Sequence, residues 1–224
     1  MNDKLIIKAG RRIEDRLLYK KGTHTFKPGV SVLVGCNGAG KTTLLSRVRE
    51  QLRKDPEKES TAFYEFYLKE QTGDLMDKFF RRQQYELLSL TMEASEGEKI
   101  NISTFELVDE LKKYYGQIEK GEFKYKRIVV IVDSIDSGWS LDQYDNFYYA
   151  MDSFVKYFDY KSVPFYLIIT SNTYELSRKY PSYDVQNARY RKFKGYDDYR
   201  EFILRTRKFK DSCIGVDDEQ MPSS

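Results

Sequence analysis

The sequence predicts an α/β fold with a mostly parallel central sheet, and two observations support this. Residues 30–34, 127–132 and 165–170 form short, almost wholly apolar runs of the kind found in strands buried on both faces of a parallel sheet. Segments with apolar residues at helical spacing lie between and after these runs. Strands that alternate with helices in this way form a parallel sheet with helical crossovers.

Short strands separated by turns are predicted at the N-terminus. Leu5-Ile6-Ile7 and residues 16–19 predict two of these strands, and residues 30–34 predict a third. Lys27-Pro28-Gly29 is a turn signal just before the third strand. We expect antiparallel strands in this N-terminal region, ahead of the strand at 30–34 that leads into the central sheet.

The remaining elements follow from apolar periodicity. It predicts a strand at 61–68 and helices at 42–53, 74–92, 141–160, 196–208 and from Lys99 onward. The helix from Lys99 is expected to bury one face, formed by Ile102, Phe105, Val108, Leu111 and Tyr115.

These elements predict one domain over residues 1–210, with a small helical lobe at about 70–120. Residues 211–224 are polar and are expected to form a disordered tail.

The composition narrows the possible functions. The chain has 224 residues, 33% of them charged, and a net charge of only +3, which does not by itself indicate nucleic-acid binding. It has two cysteines, far apart, and a single histidine, so a structural disulfide and a multi-histidine metal site are not expected. No apolar run approaches membrane-spanning length and no signal-peptide pattern is present, which predicts a cytoplasmic protein without membrane insertion.

The segment from Gly35 to Thr43 reads Gly-Cys-Asn-Gly-Ala-Gly-Lys-Thr-Thr and lies between a predicted strand and a predicted helix. This is the setting of a phosphate-binding loop, and it places the fold among the P-loop NTPases. Lys41 would reach the β and γ phosphates, and the Thr42 hydroxyl would hold Mg²⁺. The alternative is a glycine-rich turn with a chance lysine. The residues expected to bind nucleotide here are Gly35, Asn37, Gly38, Ala39, Gly40, Lys41, Thr42 and Thr43.

Asp133 ends the apolar run at 127–132. An acidic residue at the carboxyl end of a strand beside a phosphate loop is where Mg²⁺ is held, directly or through water. We therefore expect Asp133 and Thr42 to share the metal. A strand-ending turn aspartate is the alternative.

The phosphate loop resembles that of ABC-type ATPases, including the heads of the SMC and recombination-repair (RecF-like) branch. Ser95-Glu96-Gly97-Glu98 is similar to the S-x-G-E form of the signature that this family carries between the phosphate loop and the metal aspartate. The resemblance implies that Ser95 and Gly97 contact the γ-phosphate held by a second copy of the chain. It thus implies an ATP-dependent homodimer, whereas an ordinary helix-capping loop is the alternative.

Two catalytic positions depart from this family. Ser134 follows the metal aspartate, where the family usually has a glutamate that polarises the attacking water. Asn172 replaces the histidine that usually follows the next strand; it can donate a hydrogen bond but cannot titrate. Asp136 is near enough in sequence to act as a substitute base. We therefore expect ATP binding with slow hydrolysis, or a hydrolysis step completed by another subunit.

Four further residues have a nucleotide-related alternative. Gln71 corresponds to the glutamine with which the family reports the γ-phosphate to its helical lobe; it could equally be a polar loop residue. Arg11 and Arg12 could approach the nucleotide, as basic residues do in repair-type heads, or remain solvated. Tyr19 could stack on adenine or pack in the protein.

The resemblance covers about residues 4–175. Only about 60 residues separate Gly35 from Ser95, too few for the long antiparallel coiled coil of SMC-type arms. The chain would be a head without arms.

Residues 180–210 form the most basic stretch of the chain and are interleaved with aromatic residues. The stretch could contact a nucleic-acid backbone. A solvated helix face with a half-buried aromatic stripe is the alternative.

The hypothesis that these features favour is an ATP-dependent, dimerising molecular switch of the ABC type. Its output would pass to DNA or to a protein effector, in repair, recombination or defence. A transporter nucleotide-binding subunit is an alternative, but the L-S-G-G-Q signature that it predicts is missing. Two further alternatives are a nucleoside or small-molecule kinase and a nucleotide-sensing scaffold that never hydrolyses ATP.

Overall fold

The computed structural model describes residues 3–13, 16–55, 60–67, 96–133 and 139–213. The helix predicted at 74–92 and residues 214–224 of the predicted tail lie outside the described residues. The α/β fold with a mostly parallel central sheet is confirmed.

The described residues contain ten strands and five helices. The strands are β1 (Leu5–Lys8), β2 (Arg12–Ile13), β3 (Arg16–Leu17), β4 (Thr23–Phe26), β5 (Gly29–Val34), β6 (Thr61–Tyr67), β7 (Arg127–Asp133), β8 (Phe165–Thr170), β9 (Ser182–Asp184) and β10 (Arg189–Arg191). The helices are α1 (Lys41–Lys54), α2 (Glu96–Glu119), α3 (Leu141–Tyr160), α4 (Tyr174–Lys179) and α5 (Tyr196–Ser212).

The central sheet has six strands in the order β10-β9-β5-β8-β7-β6, and only β10 is antiparallel to its neighbour. Strand β8 therefore lies between β5, which leads into the glycine-rich loop, and β7, which ends at Asp133. Because these strands are parallel, the loop, Thr170 and Asp133 meet at one edge of the sheet. Ligands of open α/β sheets bind at this carboxyl edge.

The continuous apolar strands are explained by two separate cores. In β7, Ile128, Val130 and Val132 face one core, to which α2, α3 and α5 also contribute. Val129 and Ile131 face the other, which contains the apolar residues of α1, β1 and β4. Successive side chains of a strand point to opposite faces, so a strand covered on both sides is apolar at every position.

The predicted antiparallel N-terminal strands are confirmed. Strand β1 pairs with β4, with Leu5 opposite Phe26, and β2 pairs with β3. Leu5, Ile7 and Phe26 are buried in the same core as the apolar face of α1. This sheet therefore covers one side of the domain next to the glycine-rich loop.

The structure corrects three details of the helix predictions. Helix α2 already includes residues 96–98, ahead of the predicted start at Lys99, so Gly97 is helical. Tyr114, not Tyr115, joins Leu107 and Leu111 in the core, and Tyr115 is 43% exposed. Helix α5 continues to Ser212, past the predicted end at 208 and the predicted start of the tail.

Strands β2, β4, β9 and β10 and helix α4 were not predicted. Among the described helices, none combines the length and the apolar character that crossing a bilayer requires.

Candidate functional site

The loop between β5 and α1 curls tightly because two of its glycines adopt a left-handed backbone. Gly38 has φ = 76° and Gly40 has φ = 93°, a region that other residues rarely occupy. Gly40 also has no room for a side chain, since a Cβ there would lie 2.8 Å from the Tyr19 hydroxyl oxygen. The curled backbone turns successive N–H groups towards one point, as a phosphate-binding loop does.

Lys41 is the first residue of α1 and is only 8% exposed. Its Nζ donates hydrogen bonds to the carbonyl oxygens of Gly35, at 2.7 Å, and Cys36, at 3.3 Å. The ammonium group is thus held inside the curl of its own loop. The loop therefore combines a fixed positive charge with the N-terminus of a fourteen-residue helix.

Asp133 accepts hydrogen bonds from two threonine hydroxyls on the same carboxylate oxygen. The distance to Asp133 Oδ1 is 3.3 Å from Thr42 Oγ1 and 2.5 Å from Thr170 Oγ1. Thr42 comes from α1, Asp133 from β7 and Thr170 from β8, so three elements converge here. The predicted pairing of Thr42 with Asp133 is present, and Thr170 is a member that the sequence did not indicate.

These residues line an open cavity of about 400 Å³, within the usual size range of small-molecule sites. The cavity brings together most of the predicted nucleotide-binding residues, whereas Gly35 and Ala39 are buried in the loop behind it. Its lining consists of Arg16, Leu18, Asn37, Gly38, Gly40, Lys41, Thr42, Thr43, Asp133, Thr170 and Asn172.

Asn172 is positioned by a short turn after β8. The Ser171 hydroxyl donates to the Thr173 carbonyl, at 3.0 Å, and accepts the Thr173 N–H, at 3.1 Å. The Thr173 hydroxyl lies 3.0 Å from the hydroxyl of Tyr144 on α3. These bonds hold Asn172 at the rim of the cavity, near Asp133.

Two cations that sequence reasoning missed flank the tip of the loop. A Cβ on Gly38 would lie 3.9 Å from both Arg16 Nη2 and Lys210 Nζ, and Lys210 Nζ also lies 3.4 Å from the Asn37 carbonyl oxygen. Arg16 Nε is buried and has no hydrogen-bond partner among the described residues. Arg16 comes from β3 and Lys210 from α5, so no local sequence pattern connects either of them with the loop.

Helix α5 also supports the loop from behind. The Thr206 hydroxyl accepts the N–H of Cys36 at 3.0 Å and donates to the carbonyl of Ile203 at 2.7 Å. Thr206 is only 3% exposed. The loop is therefore anchored to a helix 170 residues further along the chain.

The predicted N-terminal candidates, Tyr19, Arg11 and Arg12, all lie outside the lining of the cavity. Tyr19 is fully buried, and its hydroxyl donates a 2.7 Å hydrogen bond to the Gly40 carbonyl, so the packing alternative is confirmed and stacking on adenine is wrong. Burial raises the pKa of the Tyr19 hydroxyl, which keeps it protonated as a donor. Arg11 is exposed, and neither Arg11 nor Arg12 lines the cavity.

Other predicted site residues fall outside the described residues. These are Gln71, Ser95, Ser134 and Asp136. Gly97 is described and lies in α2.

Comparison with known families agrees with this geometry. A family model described as an AAA domain matches residues 24–176, which include the loop, Asp133 and Asn172. The chain belongs to this AAA domain family. It is therefore a P-loop ATPase domain that binds ATP, on a fold that the sequence predicts correctly.

One solved structure similar to this AAA domain is an ABC transporter ATP-binding protein, as it is described, from Pyrococcus furiosus. The two share 14% sequence identity, with a TM-score of 0.40 over 76% of this chain and 92% of that one. No curated protein matches the sequence.

Proposed function

We propose that this AAA domain is a nucleotide-dependent switch of the ABC type, resembling an armless head of the SMC and recombination-repair branch. Two copies close over ATP–Mg²⁺, and hydrolysis is slow. Residues 1–210 act as one ATPase domain, in the cytoplasm, in DNA repair, recombination or defence. The observation that carries the proposal is the convergence of Thr42, Thr170 and Asp133 beside Lys41.

The donor atoms of this cluster suit magnesium. Mg²⁺ prefers hard oxygen ligands and keeps several waters, so that a protein supplies only one or two ligands and the phosphates supply others. Thr42 and Asp133 offer a hydroxyl and a carboxylate 3.3 Å apart. Among the described residues, no group of three or more His, Cys, Asp or Glu could form a cage for a metal, which fits a metal shared with the triphosphate.

Lys41 and the loop would bind the triphosphate. The Nζ group now donates to the carbonyls of Gly35 and Cys36, and it would exchange these acceptors for β- and γ-phosphate oxygens. Charge-assisted hydrogen bonds to phosphate are stronger than those to neutral carbonyls, so this exchange favours the bound state. Arg16 would add a second cation on the same wall of the cavity.

The carboxylates that line the cavity support slow hydrolysis. Asp133 is the only carboxylate among the described residues that line the cavity, and its Oδ1 accepts two hydroxyl groups. We assign this carboxylate to the metal rather than to the activation of water, as its place at the end of β7 suggests. Loss of a general base typically lowers the rate about 10²–10⁴-fold. Ser134 lacks a carboxylate, and Asp136 is the candidate substitute, with Asn172 donating to the γ-phosphate.

The predicted signature segment supports the proposed closure over a second nucleotide. Gly97 lies in α2 and follows Ser95 and Glu96 in the sequence. A small hydroxyl next to a glycine, which permits close backbone approach, suits contact with a phosphate. Ser95 and Gly97 of one copy would thus contact the γ-phosphate bound by the other.

Molecular mass measured by light scattering, with and without ATP–Mg²⁺, tests the proposal. We expect a monomer without nucleotide and a dimer with ATP–Mg²⁺. Lys41→Ala should abolish both ATP binding and the dimer, while Lys54→Ala, at the far end of the same helix, should leave both intact. Ser95→Arg should abolish the dimer and preserve ATP binding. A mass that does not respond to ATP in protein that binds it would refute the switch.

A further inference from the structure

A second charged surface lies along α5 and shares no lining residue with the nucleotide cavity. Two cavities of about 210 and 530 Å³ adjoin there and share Arg191 and Arg205 in their walls. We call this surface the basic face; its cations are Lys20, Arg189, Arg191, Lys192, Lys194 and Arg205.

Three carboxylates, those of Asp184, Asp198 and Glu201, line the same cavities and offset part of the charge of the six cations. Asp184 is buried, and its oxygens accept the N–H groups of Gln186 and Asn187 and the Asn187 amide. Asp198 pairs with Arg191 at 2.8 Å and accepts the Lys194 N–H at 3.1 Å, and these bonds hold the pKa of its carboxyl below the ordinary value.

The other cations of the basic face stay available. Among the described residues, no ion pair is formed by Lys20, Arg189, Lys192, Lys194 or Arg205. The whole chain carries a net charge of only +3, so this face concentrates positive charge.

Arg191 is held rigidly at the centre of the face. Its guanidinium lies 5.2 Å from the ring centre of Phe193 and 5.1 Å from that of Phe202. Arg191 Nε is buried and has no hydrogen-bond partner among the described residues. A guanidinium fixed by stacking loses little entropy when it binds an anion, and its fork geometry matches a phosphate.

The aromatic rings at the basic face contact its own cations. The two rings on which Arg191 stacks are buried, and Lys20 Nζ lies 5.0 Å from the ring centre of Phe209. Tyr196 is 61% exposed, but it lines neither cavity. This arrangement suits contact with a phosphate backbone, independent of sequence, rather than with unstacked bases.

The basic face is connected to the phosphate loop through hydrogen bonds. The Lys20 N–H donates to the Gln186 carbonyl at 2.8 Å, and Gln186 Nε2 donates to the Thr206 carbonyl at 3.0 Å. Thr206 in turn accepts the Cys36 N–H of the loop. A short series of hydrogen bonds therefore joins the backbone of the basic face to the backbone of the loop.

We infer that the basic face binds the phosphate backbone of duplex DNA. The inference rests on the proposed function in one respect, since DNA is then the partner on which the switch acts. It assigns the DNA contact to Lys20, Arg189, Arg191, Lys192, Lys194 and Arg205.

Fluorescence anisotropy of a labelled 30-base-pair duplex, measured against salt concentration, tests the inference. The test variant is Arg189→Glu with Lys192→Glu, both at exposed positions. The matched control is Lys112→Glu on α2 with Lys120→Glu directly after this helix; both positions are exposed and the charge changes by the same amount. We expect the test variant to bind at least about tenfold more weakly at 100 mM salt, with a salt slope lower by about 2, because each lost phosphate contact contributes about 0.9 to the slope.

Several outcomes would overturn the inference. They are equal losses in both variants, no binding of duplex DNA by the wild-type chain, and tighter binding to RNA of the same sequence or to vesicles containing phosphatidylserine. Failure of ATP-dependent dimerisation with a selective loss of DNA affinity in the test variant would defeat the switch and leave the basic face standing. ATP-dependent dimerisation with unchanged DNA affinity in the test variant would support the switch and defeat the assignment of DNA binding to the basic face.

Discussion

The hydroxyl of Tyr19 donates a 2.7 Å hydrogen bond to the carbonyl of Gly40, and the Tyr19 ring fills the space that a Cβ on Gly40 would need. Gly40 is the residue that turns the phosphate loop into α1. The N-terminal segment after β3 thus fixes the loop at the point where its N–H groups turn towards the ligand. A buried tyrosine and an obligatory glycine form one structural unit here.

Tyr19→Phe should lower the free energy of unfolding by about 1–2 kcal/mol, because the buried Gly40 carbonyl loses its side-chain donor. This corresponds to a melting temperature lower by about 3–6 °C in a chain of this size. Gly40→Ala should destabilise more, since it adds a clash to a φ of 93° that alanine rarely adopts.

The double variant, Tyr19→Phe with Gly40→Ala, separates the lost hydrogen bond from the clash with the added Cβ. Removing the hydroxyl deletes the 2.8 Å contact but leaves the Tyr19 ring carbon Cε1 at 2.9 Å from the added Cβ. The combined loss should therefore be smaller than the sum of the single losses, but not zero. Thermal unfolding followed by circular dichroism measures all three, and strict additivity would contradict the shared unit.

Thr170→Val should weaken the response of ATP binding to magnesium. Thr170 orients Asp133 through the 2.5 Å hydrogen bond, and loss of a group that orients a metal ligand typically costs about 10–100-fold in metal affinity. Calorimetric titration of ATP at fixed Mg²⁺ concentrations gives the half-saturating Mg²⁺ concentration, which we expect to rise about tenfold or more.

Thr170→Ser is the matched control, because it keeps the hydroxyl and removes only a methyl group. It should behave like the wild-type chain. A valine variant with unchanged Mg²⁺ dependence would show that Asp133 needs no help from β8.

The strands and the loop were predictable because their signals are local. The apolar runs that become β5, β7 and β8 and the glycine pattern after Val34 each occupy fewer than about ten neighbouring residues. Helix α3 was predicted to the residue, since its periodic apolar face is long.

The parts that were missed depend on tertiary structure. Strands β9 and β10 have three residues each, and they form only because β5 offers an edge to pair with. Arg16 and Lys210 reach Gly38 from opposite ends of the chain, so no spacing rule connects them. The prediction placed Tyr115 in the core instead of Tyr114, because both residues fit a 3.6-residue period almost equally well. In the structure Tyr114 is the one that packs in the core.

His24 makes the stability of the fold sensitive to pH. It is fully buried, its ring lies 4.8 Å from that of Tyr19, and neither of its nitrogens has a hydrogen-bond partner among the described residues. Burial lowers the pKa of His24 from 6.5 to about 4. Between these pH values the unfolded chain binds a proton that the folded chain does not, so stability is complete above pH 6.5 and falls as the pH drops towards 4.

At pH 5 this effect amounts to about 2 kcal/mol relative to pH 7.5. His24→Phe should remove it, so that the pH-dependent loss in urea unfolding is smaller in the variant by about that amount. His24 is the only histidine of the chain, so its NMR titration is unambiguous. A titration midpoint near 6.5 in the folded protein would contradict the prediction.

Arg16 should strengthen ATP binding although it lies outside the glycine-rich loop. Its guanidinium lines the cavity beside Gly38, with a buried Nε that has no partner among the described residues. A phosphate oxygen in the cavity would supply that partner, and a hydrogen bond between charged groups contributes about 1.5–3 kcal/mol. Arg16→Ala should therefore weaken ATP binding by about tenfold or more in calorimetric titration.

Lys210 and Lys208 provide the comparison for this effect. Lys210 Nζ contacts the outer side of the loop at Asn37 but does not line the cavity, whereas Lys208 on the same helix is exposed. Lys210→Ala should weaken ATP binding only about two- to threefold, as expected for a cation at a solvated distance, and Lys208→Ala should not change it. Equal losses for Arg16→Ala and Lys210→Ala would indicate a general field of positive charge at the loop. A loss confined to Arg16→Ala and larger for ATP than for AMP would assign its contact to the β or γ phosphate.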